Sequence, residues 1–209
     1  MKNIFVGGSS EIALNIARKI KNSDCISRKK NNLFENNYKI QNYSIKEIRK
    51  IIKTIDKKYD NILIFNGIYS ESLVSFFSIK EFDKNFYINF KVPLIFATEL
   101  IKNQNLKKGG SIFFFSSIAA NKTEKGNAYY SISKNALNFM AKILANEQIN
   151  RGNRINIISL GLINNKMGKS TLLYKINKQH KFVKKSIYIS KILKILKNKK
   201  INKKIITIK

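Results

Sequence analysis

Short apolar runs alternate with stretches of helical spacing along almost the whole chain. Residues 3–7 (Asn-Ile-Phe-Val-Gly) form one such run, and residues 11–22 then bring Ile12, Ile16 and Ile20 to one helical face. The spacing predicts a strand, a tight turn and a helix in that order. Further runs stand at Asp24–Ser27, Tyr38–Gln41, Asn61–Phe65, Ser111–Phe115, Arg154–Ser159 and Lys204–Ile208, with helical patterns between most of them. Strands that alternate with helices imply right-handed crossovers and a parallel sheet. Cover on both faces explains why the central runs are apolar throughout instead of alternating. The expected fold is α/β, a doubly wound sheet of seven parallel strands with helices on both faces. No Gly/Ser-rich linker or internal repeat divides the chain, so residues 1–209 are expected to form a single domain. The only proline, Pro93, falls inside a helical pattern, and Ile189, Ile192, Leu193 and Leu196 keep helical spacing near the C-terminus.

At 209 residues the chain can bury a core without covalent staples. Cys25 has no partner for a bridge, and with His180 as the only histidine no Cys/His set has metal-ligand spacing. Met1-Lys2-Asn3 passes straight into an apolar strand, with no leader pattern behind it. Charges interrupt every hydrophobic stretch well short of the roughly 18 residues that a membrane span needs. A cytoplasmic protein with no membrane partner is expected.

The net charge is +29 and the isoelectric point is near 10.2. No acidic residue follows Glu147, whereas residues 148–209 hold 15 lysines and 2 arginines. Such a balance points to an anionic partner. The excess, however, is almost wholly lysine, 36 against 5 arginines, and it accompanies abundant Ile and Asn. All three have A/T-rich codons, so compositional drift is the leading account, ahead of an anionic substrate or acidic carrier. Nucleic-acid recognition ranks last, because no base-reading motif is present.

Gly7-Gly8-Ser9-Ser10 lies between the first strand and the first helix, where backbone N–H groups and a helix N-terminus can face a pyrophosphate. Tyr130 and Lys134, four residues apart, emerge on one face of a helix. A nearby ammonium is expected to lower the phenol's pKa, fitting Tyr130 to act as acid in reduction and base in oxidation. Alone, Tyr-x-x-x-Lys is common on helices. Its surroundings add weight: Ser117 ends an apolar strand thirteen residues earlier, and Asn89 lies in Tyr87-Ile88-Asn89-Phe90.

In these features the chain resembles the short-chain dehydrogenase/reductase family, whose domain is Rossmann-like and binds NAD(P). The resemblance runs from Ile4 to Ile208 and implies hydride transfer between a nicotinamide and a carbonyl or secondary alcohol. It makes Asn89, Ser117, Tyr130 and Lys134 the catalytic set, with Asn89 supporting a proton-relay water. It assigns the cofactor to Gly7, Ser9, Ser10, Ile12, Arg28, Asn42, Asn66, Gly67, Tyr130, Lys134, Gly161 and Ile163. Gly67 matches the glycine beside the nicotinamide ribose, Asn42 the adenine-contacting aspartate, and Gly161 the Pro-Gly turn. Ser27-Arg28-Lys29 carries no carboxylate for a ribose, so NADP (NADPH) is favoured over NAD. Val6, Glu11, Ala13 and Leu160 depart from the family pattern, and Asn165 stands near a cofactor-contacting threonine.

The implied substrate is a small-molecule or carrier-bound carbonyl, with the 3-oxoacyl group of an acyl carrier protein placed first on charge. The abbreviated C-terminal region implies an open substrate pocket. A homodimer or homotetramer is implied through the helices that hold Asn89 and Tyr130, with Leu94, Phe96, Leu137 and Phe139 as candidate contacts. A cofactor-binding regulator without turnover and a basic nucleic-acid-binding module are the alternatives.

Overall fold

The computed structural model describes residues 1–71, 73–171, 175 and 181–209, so His180 lies outside the described residues. Seven strands form one sheet: β1 (Asn3–Val6), β2 (Ser23–Ser27), β3 (Asn37–Lys39), β4 (Tyr59–Ile64), β5 (Leu106–Ser117), β6 (Arg154–Leu160) and β7 (Ile205–Ile208). Their order is β3-β2-β1-β4-β5-β6-β7 and every pairing is parallel. All seven predicted strands are present. The order reverses at β1, which pairs with β2 on one side and β4 on the other. A doubly wound sheet opens a crevice beyond the carboxyl ends of its strands at that point.

Helices α1 (Glu11–Ala17), α2 (Ile45–Lys53), α3 (Ile79–Phe86), α4 (Val92–Lys102), α5 (Ala128–Glu147), α6 (Lys166–Lys169) and α7 (Lys185–Lys197) connect the strands. Successive strand residues face opposite layers. Ile4, Val6, Ile62, Ile64, Ile112 and Phe114 join the core under α2, α4 and α5, while Phe5, Leu63, Phe113 and Phe115 join the core under α1 and α7. Burial of each such side chain contributes about 1.5–3 kcal/mol. That explains strands apolar on both faces.

Three boundaries differ from the sequence expectation for identifiable reasons. Helix α1 stops at Ala17 instead of reaching residue 22. The Ile20 N–H already bonds the Ala17 carbonyl three residues back, and Asn22 at φ 58° then turns the chain into β2. Strand β5 begins at Leu106, opposite Tyr59, and absorbs Lys107–Gly110 in a register shift before Ser111 pairs with Asn61. Gly109 at φ 72° makes that bulge possible. Pro93 sits in the first turn of α4, directly after a π-helical turn over Tyr87–Lys91. There the Val92 N–H reaches back to the Tyr87 carbonyl, so the wide turn accommodates a residue that has no N–H to give.

Candidate active site

The crevice has an outer end over β1–β3 and an inner end over β4–β6. At the outer end Gly7 leaves β1 at φ 73°, and a Cβ there would approach the Asn66 N and Oδ1 at 3.3 Å. Glycine is required both for that backbone conformation and for that approach. Ser10 caps α1, its Oγ accepting from the Ala13 N–H at 3.2 Å. Ser9 and Glu11 are exposed, so the Glu11 carboxylate stands in solvent by the helix N-terminus. Gly8 serves packing: a Cβ there would lie 2.5 Å from the Cys25 Sγ.

Arg28, after β2, is exposed and rests its guanidinium over the Tyr43 ring at 5.7 Å. Burial pushes the Tyr43 hydroxyl up, against the pull of Arg28 and a hydrogen bond with Asn66. Asn66 is buried, and its Oδ1 has no partner. Asn42 is exposed and its Oδ1 accepts from the Ser44 N–H at 2.9 Å, so it is committed to a local turn. Tyr43 is the residue of this loop that reaches the other groups, and the sequence reading missed it. An aromatic shelf under a cation, a positive-φ glycine and an unpartnered buried acceptor fit the adenosine and pyrophosphate portion of a dinucleotide.

At the inner end Lys134, on α5, is 3% exposed. Its Nζ donates to the Asn66 carbonyl at 3.2 Å and the Phe115 carbonyl at 3.0 Å, bridging the carboxyl ends of β4 and β5. Burial pushes its pKa down to about 8. A Cβ on Gly67 would lie 3.1 Å from that Nζ and 3.5 Å from the Asn89 Oδ1. Asn89 lies in the π-helical turn and is fully buried. Its Oδ1 accepts from the Ile68 N–H at 2.7 Å, and its Nδ2 donates to the Ile68 carbonyl, the Asn85 Oδ1 and the Ser133 Oγ at 2.9–3.0 Å. Asn89 thereby clamps the loop after β4 against α5.

Tyr130 stands one helical turn before Lys134. Burial, with the edge-on Tyr69, pushes its hydroxyl's pKa up to about 12, and the Ser117 hydroxyl pulls the other way. The expected lowering by the lysine is therefore corrected: burial dominates, and the Lys134 ammonium, turned toward two carbonyls, is not among the causes. The Ser117 Oγ also accepts from the Ala119 N–H at 3.2 Å, ordering the turn after β5.

Ser117 and Tyr130 line a cleft of about 120 Å³ together with Ile12, Gly161 and Ile163. Five residues assigned from the sequence thus meet there. The Gly161 N–H bonds the Ile208 carbonyl at 2.8 Å, and Leu160 continues β6 where the family has a proline. Asn165 reaches the same cleft, but its Oδ1 accepts from the Gly168 N–H at 2.8 Å and caps α6. The sequence reading missed Tyr69, Lys122, Glu124, Asn127 and Met167, which also line this space. Of the residues named for subunit contacts, Phe96 and Leu137 are core and Leu94 is half-buried, leaving Phe139 exposed. Exposed apolar side chains occur instead at Val74, Phe76, Phe77, Ile79 and Ile132.

A family model described as Enoyl-(Acyl carrier protein) reductase matches residues 39–196. Dehydrogenase/reductase SDR family member 4 of Homo sapiens is 30% identical over 134 residues, 63% of this chain and 48% of that protein. The 3-oxoacyl-[acyl-carrier-protein] reductase FabG of Rickettsia prowazekii (strain Madrid E) is 32% identical over 152 residues, 72% of this chain and 61% of that protein. The chain thus spans about half to three fifths of the curated relatives it matches. Among solved structures, a dehydrogenase/reductase from Sinorhizobium meliloti 1021 superposes with a TM-score of 0.84 at 19% identity, covering 99% of this chain and 93% of that one. A short chain dehydrogenase from Burkholderia cenocepacia J2315, in complex with NADP, gives 0.85 at 16% identity, covering 99% and 95%. These likenesses concern the fold. No helix among the described residues is long and apolar enough to cross a membrane.

Proposed function

The chain belongs to the short-chain dehydrogenase/reductase family, and on that premise we propose that it reduces a carbonyl group, or oxidises a secondary alcohol, with NADP(H) in the Ser117–Tyr130 cleft. One observation carries the reading: a phenol and a serine that line the same cleft, one helical turn from a buried lysine that ties two strand ends together.

The bound nicotinamide supplies the hydride in reduction and accepts it in oxidation. Gly7, Ser9, Ser10, Ile12, Asn66, Gly67, Gly161 and Ile163 would hold the dinucleotide, and Arg28 on its Tyr43 shelf favours the 2′-phosphate of NADP. Ser117 and Tyr130 donate to the substrate oxygen, stabilising the negative charge that develops there. Tyr130 then gives up its proton. A phenol is a stronger acid than the alcohol it produces, so a raised pKa does not stop the transfer. Lys134, its pKa lowered by burial, would resupply that proton through a water held at the Asn89 carbonyl, which receives no helical N–H from Pro93.

A 3-oxoacyl group on an acidic carrier is the first substrate class, because the surface charge of +29 would attract such a carrier. The exposed apolar residues of α3, α5 and the turn before α3 would supply a homodimer or homotetramer contact, in a cytoplasmic protein. The test is a titration of the purified protein with NADPH and NADH, followed by a carbonyl screen read as loss of nicotinamide absorbance. Tighter NADPH binding and turnover of a 3-oxoacyl substrate are expected. Cofactor binding without turnover of any carbonyl would instead mark a regulator, and binding of neither cofactor would overturn the reading.

A further inference from the structure

The loop between β5 and α5 adds three polar side chains, Lys122, Glu124 and Asn127, to the cleft that Ser117 and Tyr130 line. Lys122 donates to the Glu124 Oε1 at 2.7 Å, and the Asn127 Nδ2 donates to the Glu124 Oε2 at 2.9 Å. A carboxylate only accepts, so this pairing fixes which end of the Asn127 amide faces Glu124. The other end is its carbonyl oxygen. Asn127 is 8% exposed, and that Oδ1 is buried with no hydrogen-bond partner. It does not serve the helix either: Asn127 stands at the N-cap of α5, yet makes no side-chain cap bond. A buried acceptor left unmade costs about 1–3 kcal/mol, which a ligand's donor would recover.

We propose that Asn127 accepts a hydrogen bond from the substrate, so that the preferred substrate is an apolar carbonyl compound carrying an N–H or O–H on the same molecule. This inference rests on the reductase reading of the cleft. Ile118, Leu160, Leu162 and Met167 supply the apolar part of the lining, Ser117 and Tyr130 face the reacting oxygen, and both Glu124 oxygens are already engaged by Lys122 and Asn127. Lys122 and Glu124 are positioning residues, each acting through the next. A substrate without a donor would leave the Asn127 oxygen buried and unmet, which a site built for a donor rejects.

The probes are N-methylacetoacetamide, which carries one N–H, and N,N-dimethylacetoacetamide, which carries none. With NADPH, kcat/KM is expected to favour the first by about 10-fold or more. Asn127→Leu should bring the ratio close to one. Glu124→Gln, which frees the amide to turn over, should lower it partway and serves where the leucine variant does not fold. A wild-type ratio near one, or a ratio unchanged by both variants, would overturn the assignment. If NADPH binds but neither amide is reduced, the reductase reading is decided separately, by the carbonyl screen. Calorimetry of the two amides against the NADPH-bound protein then decides the acceptor: tighter binding of the N-methyl compound sustains it, and equal binding removes it.

Discussion

Lys134 at the inner end of the crevice is 3% exposed and held by two strand-end carbonyls, whereas Arg28 at the outer end is exposed and rests on the Tyr43 ring. The same contrast runs through their neighbours. Asn89 and Ser133 are buried and mutually bonded, while Ser9, Glu11 and Asn42 stand in solvent. The inner end is built from side chains that cannot move without stranding a buried partner. The outer end rests on a positive-φ glycine, a helix terminus and an exposed cation over an aromatic ring. Substitution is therefore tolerated outside and punished inside, which accounts for Glu11 replacing a family glycine while Ser117, Tyr130 and Lys134 match the family pattern.

Perturbations of the two ends should rank accordingly. Lys134→Met should have the largest effect, lowering turnover by about 10²–10⁴-fold, the range for loss of a proton-transfer group. It should also remove a pH dependence. In the unfolded chain the lysine keeps its proton up to its ordinary value of 10.5, whereas in the folded chain it releases it near 8. The unfolded state binds more protons in that window, so stability should rise with pH through it. Urea midpoints measured across the window should climb for the wild type, and the variant should lose that part of the climb.

Gly67→Ala comes next, because its Cβ would press on the Lys134 Nζ at 3.1 Å. Displacement of that lysine should cost about 10- to 100-fold in turnover with the fold intact by circular dichroism. At the outer end Gly7→Ala should cost about 1–2 kcal/mol in a denaturation curve, since alanine resists a φ of 73°. Arg28→Ala should be mildest: an exposed cation contributes up to about 1 kcal/mol, so the preference for NADPH over NADH should fall by about fivefold in a binding titration. Should Arg28→Ala reduce turnover more than Gly67→Ala, the contrast between the two ends is wrong.

Strand existence and order of elements were legible because each apolar run must be buried on both faces, a constraint written locally. The early end of α1 was not, because it depends on where β2 begins and not on Ile20, which still packs on the α1 and α7 core from outside the helix. Ser117, Tyr130 and Lys134 were singled out by order and spacing read together with the family resemblance, and Ser117 and Tyr130 line one cleft. Tyr43, Tyr69 and Asn127 were not, since each sits on a different loop and acquires its role only when the sheet brings the loops to one crevice. Nor was the Tyr130 pKa. Proximity in sequence suggested a helpful ammonium, but the Lys134 Nζ turns to the Asn66 and Phe115 carbonyls and burial sets the phenol.

The central claim is that the Tyr130 hydroxyl passes the proton. Its most direct test is NADPH-dependent turnover of a reducible carbonyl by Tyr130→Phe beside the wild type, with NADPH affinity measured on both. The account predicts a loss of about 10²–10⁴-fold in turnover with affinity little changed. Equal turnover by the two proteins would contradict it.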